Sequence, residues 1–234
     1  MKERLILFDI DGTLVLDDGA ARGAFAWALR EAYGFAEPIR GYDFSGKTDP
    51  EIATTILRDH GMGDDEINGG LRRLWDAYLE KLALYVCRER VRVLDGVTEL
   101  LSILERESAT LALLTGNIEP GARIKLGSHG LNRYFPFGAF GSDSMHRQEL
   151  PPIALRRAAE HHGRPFAMEN VVIIGDSIHD VRCGVPHGAI TIAVASGRTP
   201  AETLQAERPD FLFHSLEPTE ELLDAVLRWQ RAVD

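Results

Sequence analysis

Two carboxylates, Asp9 and Asp11, stand two residues apart where the apolar run Leu5-Ile6-Leu7-Phe8 gives way to Gly12 and Thr13. In an extended chain, residues i and i+2 face the same side. At the end of a buried strand such a pair can divide labour: one carboxylate attacks an electrophile, and the other gives and takes a proton. Their joint negative charge also favours a divalent cation. Comparable positions recur further on. Thr115-Gly116-Asn117 follows Leu111–Leu114, and Asp176 follows Val171–Gly175, with Asp180 four residues later.

The segment Phe8-Asp9-Ile10-Asp11-Gly12-Thr13-Leu14 resembles the signature of the haloacid dehalogenase-like hydrolases, most of which are phosphatases. The resemblance implies that Asp9 is the nucleophile and Asp11 the general acid, then the base for water. True dehalogenases of the family lack the second Asp, so Asp11 points to phosphoryl transfer. Gly12 would let the backbone turn sharply, and Thr13 would supply a hydroxyl near it. Thr115 would bond a phosphoryl oxygen, helped by the N–H groups of Gly116 and Asn117. Gly175-Asp176 with Asp180 resembles the acidic motif of the family. Mg²⁺ would be held by Asp9, the backbone carbonyl of Asp11 and Asp176, with Asp180 as a ligand or as an orienter of the metal's waters.

The chain departs from the family at the third motif. Where many relatives carry Lys-Pro-x-Pro, this sequence reads Arg147-Gln148-Glu149-Leu150-Pro151-Pro152, which puts Glu149 at the lysine position. A carboxylate cannot neutralise phosphate, so the cation must come from elsewhere. Lys125, on the helix after Thr115, and Arg147, two residues from the expected place, are the two candidates.

These groups need a scaffold. Short apolar runs at Leu5–Phe8, Leu111–Thr115, Phe137–Phe140, Val171–Gly175, Ile190–Ala195 and Phe211–His214 read as buried strands. Helical patterns at Val97–Glu107, Pro120–His129, Pro152–His162 and Ile178–Pro186 lie between them, and a last one spans Thr219–Ala232. The alternation predicts a three-layer α/β, Rossmann-like core with a parallel sheet, its ligand at the strands' C-terminal ends. Residues 17–90 show no strand. They carry helical patterns at Ala20–Tyr33, Pro50–His60 and Asp64–Leu84, with breaks at Gly61-Met62-Gly63 and Gly69-Gly70. The expected organisation is a core of residues 1–16 and 91–234 with a helical cap at 17–90.

Within that insertion Gly41-Tyr42-Asp43-Phe44-Ser45-Gly46-Lys47-Thr48 matches the nucleotide-binding P-loop pattern. No apolar strand precedes it, so the reading is a turn between cap helices, with Thr48 or Asp49 as the N-cap and Pro50 in the first turn. Lys47, and more weakly Arg22, could then meet an anionic substrate. The histidines His146, His161, His162 and His179 show no zinc-type spacing.

Bulk properties narrow the class. The 234 residues carry a formal charge of −10 and two cysteines, Cys87 and Cys183. That charge disfavours nucleic acid as a partner. Two cysteines make no disulfide framework. No run is long and apolar enough for a membrane helix, and the start lacks a signal peptide, so a soluble cytoplasmic protein is expected. The resemblance is to the phosphoglycolate phosphatase-like branch, and it implies a Mg²⁺-dependent phosphatase that hydrolyses a small phosphomonoester, phosphoglycolate-like or a sugar phosphate, through an aspartyl-phosphate, as monomer or homodimer. Its rivals are a phosphomutase of the beta-phosphoglucomutase type and a non-catalytic binding protein on the same fold.

Overall fold

The computed structural model describes residues 4–86 and 90–229. Among these residues the strands are β1 (Leu5–Phe8), β2 (Val15–Asp17), β3 (Val91–Val93), β4 (Thr110–Thr115), β5 (Gly138–Phe140), β6 (Val171–Gly175), β7 (Ile190–Val194) and β8 (Phe211–Phe213). Six of them make one parallel sheet in the order β5-β4-β1-β6-β7-β8. The helices are α1 (Ala20–Tyr33), α2 (Asp49–Asp59), α3 (Asp64–Tyr85), α4 (Val97–Arg106), α5 (Glu119–Gly127), α6 (Leu150–His162), α7 (Ile178–Gly184), α8 (Ala201–Ala206) and α9 (Glu220–Leu227).

The period-two geometry of the strands splits their side chains between two faces. Ile6, Phe8, Leu113 and Ile174 share a core with Leu100 and Leu104 of α4, Leu126 of α5 and Leu222 of α9. Leu5, Leu7, Leu114 and Ile173 face the other way, against Leu150, Ala154 and Ala158 of α6. Burial on both faces explains why these strands are apolar throughout rather than alternating. This is the three-layer α/β core expected.

Between β2 and β3 the chain builds three helices with a hydrophobic cluster of their own, including Phe25, Leu29, Ile56, Leu74, Tyr78 and Leu82. β2 and β3 pair antiparallel and form the two stems of this insertion. Sequence periodicity missed them, because three residues are too few to display a period. It also missed α8, where Leu204 is the one fully buried side chain in six residues. The expected break at Gly69-Gly70 does not occur: α3 runs through it. Gly70 makes room for Tyr33, whose ring atom Cε1 would lie 2.3 Å from an added Cβ. The final helix stops at Leu227. Cys87 and residues 230–234 lie outside the described residues. Cys183 is buried and unpaired, and no described helix is long and apolar enough to cross a membrane.

Candidate active site

β1 is the middle of the site because strand order reverses there, with β4 on one side and β6 on the other. The three C-terminal ends bring Asp9, Thr115 and Asp176 around one cavity. The Asp9 N–H donates to the Ile174 carbonyl at 3.0 Å, which carries the register one residue past β1. The chain then turns at Gly12, whose φ of +84° suits glycine. An added Cβ there would come within 2.3 Å of Asp176 Oδ2, and one on Gly197 within 1.7 Å. Two loops therefore omit side chains to leave room for the Asp176 carboxylate.

That carboxylate is 5% exposed and has no hydrogen-bond partner among the described residues. Burial, then the charges of Asp9, Asp180 and Asp11, push its pKa well above the usual range. Asp9 is pushed up to about 6, chiefly by burial, with Arg147 opposing and Asp180 and Asp11 adding to the rise. Carboxylate oxygens of Asp9, Asp176 and Asp180 all lie within 4.8 Å of one another. An all-oxygen set containing a buried, unpartnered carboxylate fits a hard divalent cation.

Asp180 differs from the other two, because both its oxygens are already engaged. Oδ1 pairs with Arg147 Nη2. Oδ2 accepts from the Ser177 N–H at 3.0 Å and the Ser177 hydroxyl at 2.6 Å, closing a capping box on α7.

Both candidate cations reach the site, each to a different carboxylate. Arg147 leaves a 3₁₀ turn before α6, lies 5% exposed, and places Nη2 3.2 Å from Asp9 Oδ1. Glu149, at the family's lysine position, points away and accepts from the Ser144 hydroxyl at 2.6 Å. Lys125, 3% exposed, donates to Asp11 Oδ2 at 2.6 Å, Asp11 Oδ1 at 2.8 Å and Asn117 Oδ1 at 2.6 Å. The Asn117 amide donates in turn to Asp11 Oδ2 at 2.7 Å and to the Thr115 hydroxyl at 2.9 Å. Sequence reasoning credited Asn117 with its backbone N–H alone; the side-chain amide is the larger contact.

The helical insertion closes the cavity through the turn that imitates a P-loop. The element before that turn is the helix α1, not a strand. Thr48 caps α2, accepting from the Glu51 N–H at 3.2 Å, and its hydroxyl donates to the Met145 carbonyl at 2.7 Å. The Asp49 N–H donates to the Gly116 carbonyl at 2.7 Å, and Asp49 Oδ2 accepts from the Ile118 N–H at 2.8 Å. Burial lifts the Asp49 pKa to about 6 against the pull of Lys125 and the Ile118 bond. A Cβ on Gly116 would strike the Lys47 carbonyl at 2.0 Å. Asp49 was read from sequence only as a helix cap; its hold on the Thr115 loop needed the fold to be seen.

Gly12, Lys47, Gly116 and Asn117 line the cavity, as do Asp9, Asp11, Thr115, Lys125, Arg147 and Asp176. Thr13 does not. It is fully buried behind the turn, with its hydroxyl unpartnered among the described residues, so the substrate-binding role the resemblance implied for it is not supported. Asp180 also lies behind the cavity wall, screened by Arg147. His146, His161 and His162 stand outside it.

The family model for the haloacid dehalogenase-like hydrolases matches residues 6–184, which contain every carboxylate and cation just described. The chain belongs to the haloacid dehalogenase-like hydrolases. Phosphoglycolate phosphatase of Vibrio vulnificus strain YJ016 is 28% identical over 231 residues, covering 96% of each chain. Among solved structures, a hydrolase from Pseudomonas syringae superposes with a TM-score of 0.72 at 21% identity, covering 96% of this chain and 99% of its own. A putative beta-phosphoglucomutase from Thermotoga maritima shares the fold at a TM-score of 0.60 and 19% identity, covering 97% of both chains. Within this haloacid dehalogenase-like chain, Arg147 pairs with Asp9 and Lys125 with Asp11, so both candidate cations stand beside the paired carboxylates.

Proposed function

We propose that this chain is a Mg²⁺-dependent phosphatase that hydrolyses a small phosphomonoester through an aspartyl-phosphate on Asp9. The observation that carries the reading is the buried Asp9 carboxylate, paired with Arg147 on one oxygen and adjoining the unpartnered Asp176. The phosphatase name of the Vibrio vulnificus relative supports the same class. Residues 17–90 act as the cap and the remainder as the core.

Asp9, Asp176 and the Asp11 backbone carbonyl would hold Mg²⁺, which when bound supplies positive charge against the phosphoryl oxygens. Arg147 fixes the Asp9 carboxylate and leaves its other oxygen to attack phosphorus. The bond from phosphorus to the ester oxygen breaks, and Asp11 gives that oxygen a proton. Asp11 then takes a proton from water, whose oxygen attacks phosphorus and frees Asp9. Thr115 and the Gly116 and Asn117 N–H groups are placed to bond phosphoryl oxygens. Cap closure excludes water during the first transfer.

The test is phosphate release from a panel of phosphomonoesters, with and without Mg²⁺, by wild type and Asp9→Asn. Mg²⁺-dependent release that vanishes in the variant is expected. Isomerisation of a sugar phosphate without net phosphate release would instead make the protein a mutase, and no turnover of any ester would contradict the enzymatic reading.

A further inference from the structure

The catalytic groups occupy only part of a cavity of about 400 Å³. The remainder is walled by Phe25, Phe44 and Tyr78 from the helical insertion and by Arg198 and Thr199 from the loop after β7. None of these residues has a part in the chemistry above.

Three features of this remainder point to a ligand. Arg198 and Lys47 line it, and neither side chain makes a hydrogen bond or ion pair among the described residues. Arg22 also lines it, with its guanidinium 3.9 Å from the Phe44 ring centre. Only Arg22 Nη1 is committed, to the carbonyls of Ile39 at 2.9 Å and Tyr42 at 3.0 Å. Finally, Tyr78 is 1% exposed, borders the cavity, and has no partner for its hydroxyl among the described residues. That hydroxyl is open to the cavity, where it can bond a polar atom of a ligand.

Arg22 and Arg198 belong to opposite halves of the molecule, and the charge of Arg198 is felt at Arg22. The two carboxylates whose charges also act on Arg22 each accept from a backbone N–H, Asp17 from Ala21 at 2.6 Å and Asp43 from Ser45 at 2.9 Å. Arg198 is also tied to the reaction centre. The preceding Ser196 hydroxyl donates to the Gly12 carbonyl at 2.8 Å, and Gly197 lies against Asp176.

We propose that the substrate is a phosphomonoester with a body of several carbons and a second anionic group, which Arg22 and Arg198 clamp between insertion and core. Lys47 adds a third donor to that anion, the body lies along Phe25 and Phe44, and the Tyr78 hydroxyl bonds a polar atom within it. Without the anion the two guanidiniums repel each other; with it they hold the insertion shut. The inference rests on the phosphatase reading for its reaction but not for its binding.

The experiment compares matched esters that differ by one anionic group. 6-Phosphogluconate against glucose 6-phosphate reads a carboxylate, and fructose 1,6-bisphosphate against fructose 6-phosphate reads a second phosphate; 2-phosphoglycolate reads length. kcat/KM is measured with Mg²⁺ for wild type and Arg198→Gln, and Kd by calorimetry for Asp9→Asn with and without Arg198→Gln. In wild type, one doubly anionic ester should exceed its partner by roughly tenfold or more and also exceed 2-phosphoglycolate. The ratio should fall to within about twofold in Arg198→Gln, and the Kd ratio should follow it. The pair that responds names the anion. A wild-type ratio near one, a ratio untouched by Arg198→Gln, or 2-phosphoglycolate as the preferred ester would overturn the clamp. Binding discrimination without turnover of any ester would uphold the clamp and defeat the phosphatase reading.

Discussion

Lys125 and Asp11 form a buried-to-exposed ion pair in which one ammonium donates to both carboxylate oxygens, at 2.6 and 2.8 Å. Asn117 adds a third donor to the same carboxylate. Three donors match a carboxylate rather than a carboxylic acid. In the proposed mechanism this arrangement suits Asp11 as the base of the second step, and proton delivery in the first step would require Lys125 to turn from Asp11 toward the arriving phosphoryl oxygens. Arg147, by contrast, is locked between Asp9 and Asp180.

The two cations should accordingly fail in different ways. Lys125→Met should lower kcat/KM by about 10²–10³ with little loss of stability, since Asp11 keeps Asn117 and solvent. Arg147→Met leaves Asp9 and Asp180 buried and unpaired, which should cost about 3–5 kcal/mol in denaturant unfolding. Equal unfolding midpoints for the two variants would refute the distinction.

Asp176 pays for its position in electrostatic repulsion that a cation relieves. Asp176→Asn should raise the melting temperature of the metal-free protein and abolish the shift that Mg²⁺ produces in wild type. In wild type, a Mg²⁺ concentration 100 times Kd should add about 2.7 kcal/mol. Thermal scans with and without Mg²⁺ decide it, and a variant that keeps the full Mg²⁺ shift would remove Asp176 from the metal site.

Asp49 should show in the pH dependence of stability. Its folded pKa of about 6 lies above the ordinary 3.8, so the folded chain keeps this proton longer than the unfolded chain. The associated stability is complete below pH 3.8 and is lost as pH rises through 6, a loss of about 3 kcal/mol. Asp49→Asn keeps an acceptor for the Ile118 N–H and removes the titration. The variant should match wild type near pH 4 and exceed it near pH 7; the same difference at both pH values would contradict the assignment.

Gly116 is predicted to be irreplaceable for closure. A Cβ would overlap the Lys47 carbonyl, and the same residue's carbonyl accepts from the Asp49 N–H. Gly116→Ala should push the helical insertion off the core, raising KM for any ester and enlarging the radius of gyration in X-ray scattering. An unchanged radius together with unchanged KM would show that this contact does not seat the insertion.

Much of this architecture is legible in the sequence, for identifiable reasons. β1 and β6 are buried on both faces, so their apolar runs end where the strands end, at Asp9 and Asp176. Local patterns fail where a contact is decided by distant chain. Nothing around Arg147 announces that a 3₁₀ turn will aim it at Asp9 while Glu149 turns to Ser144. Arg198 had one usable signal: it follows a strand that neighbours β6, where the loops of a parallel sheet meet the ligand. Tyr78 had none, since a tyrosine in an amphipathic helix reads as core until its hydroxyl is seen to lack a partner.

The central claim is that Asp9 carries the phosphoryl group, and chemical trapping addresses it directly. Wild type mixed with p-nitrophenyl phosphate and Mg²⁺, quenched and reduced with borohydride, should yield homoserine in place of aspartate at residue 9 in peptide mass spectra. The converted residue should be absent without ester. Turnover with no conversion at residue 9, or conversion at Asp11 instead, would contradict the account.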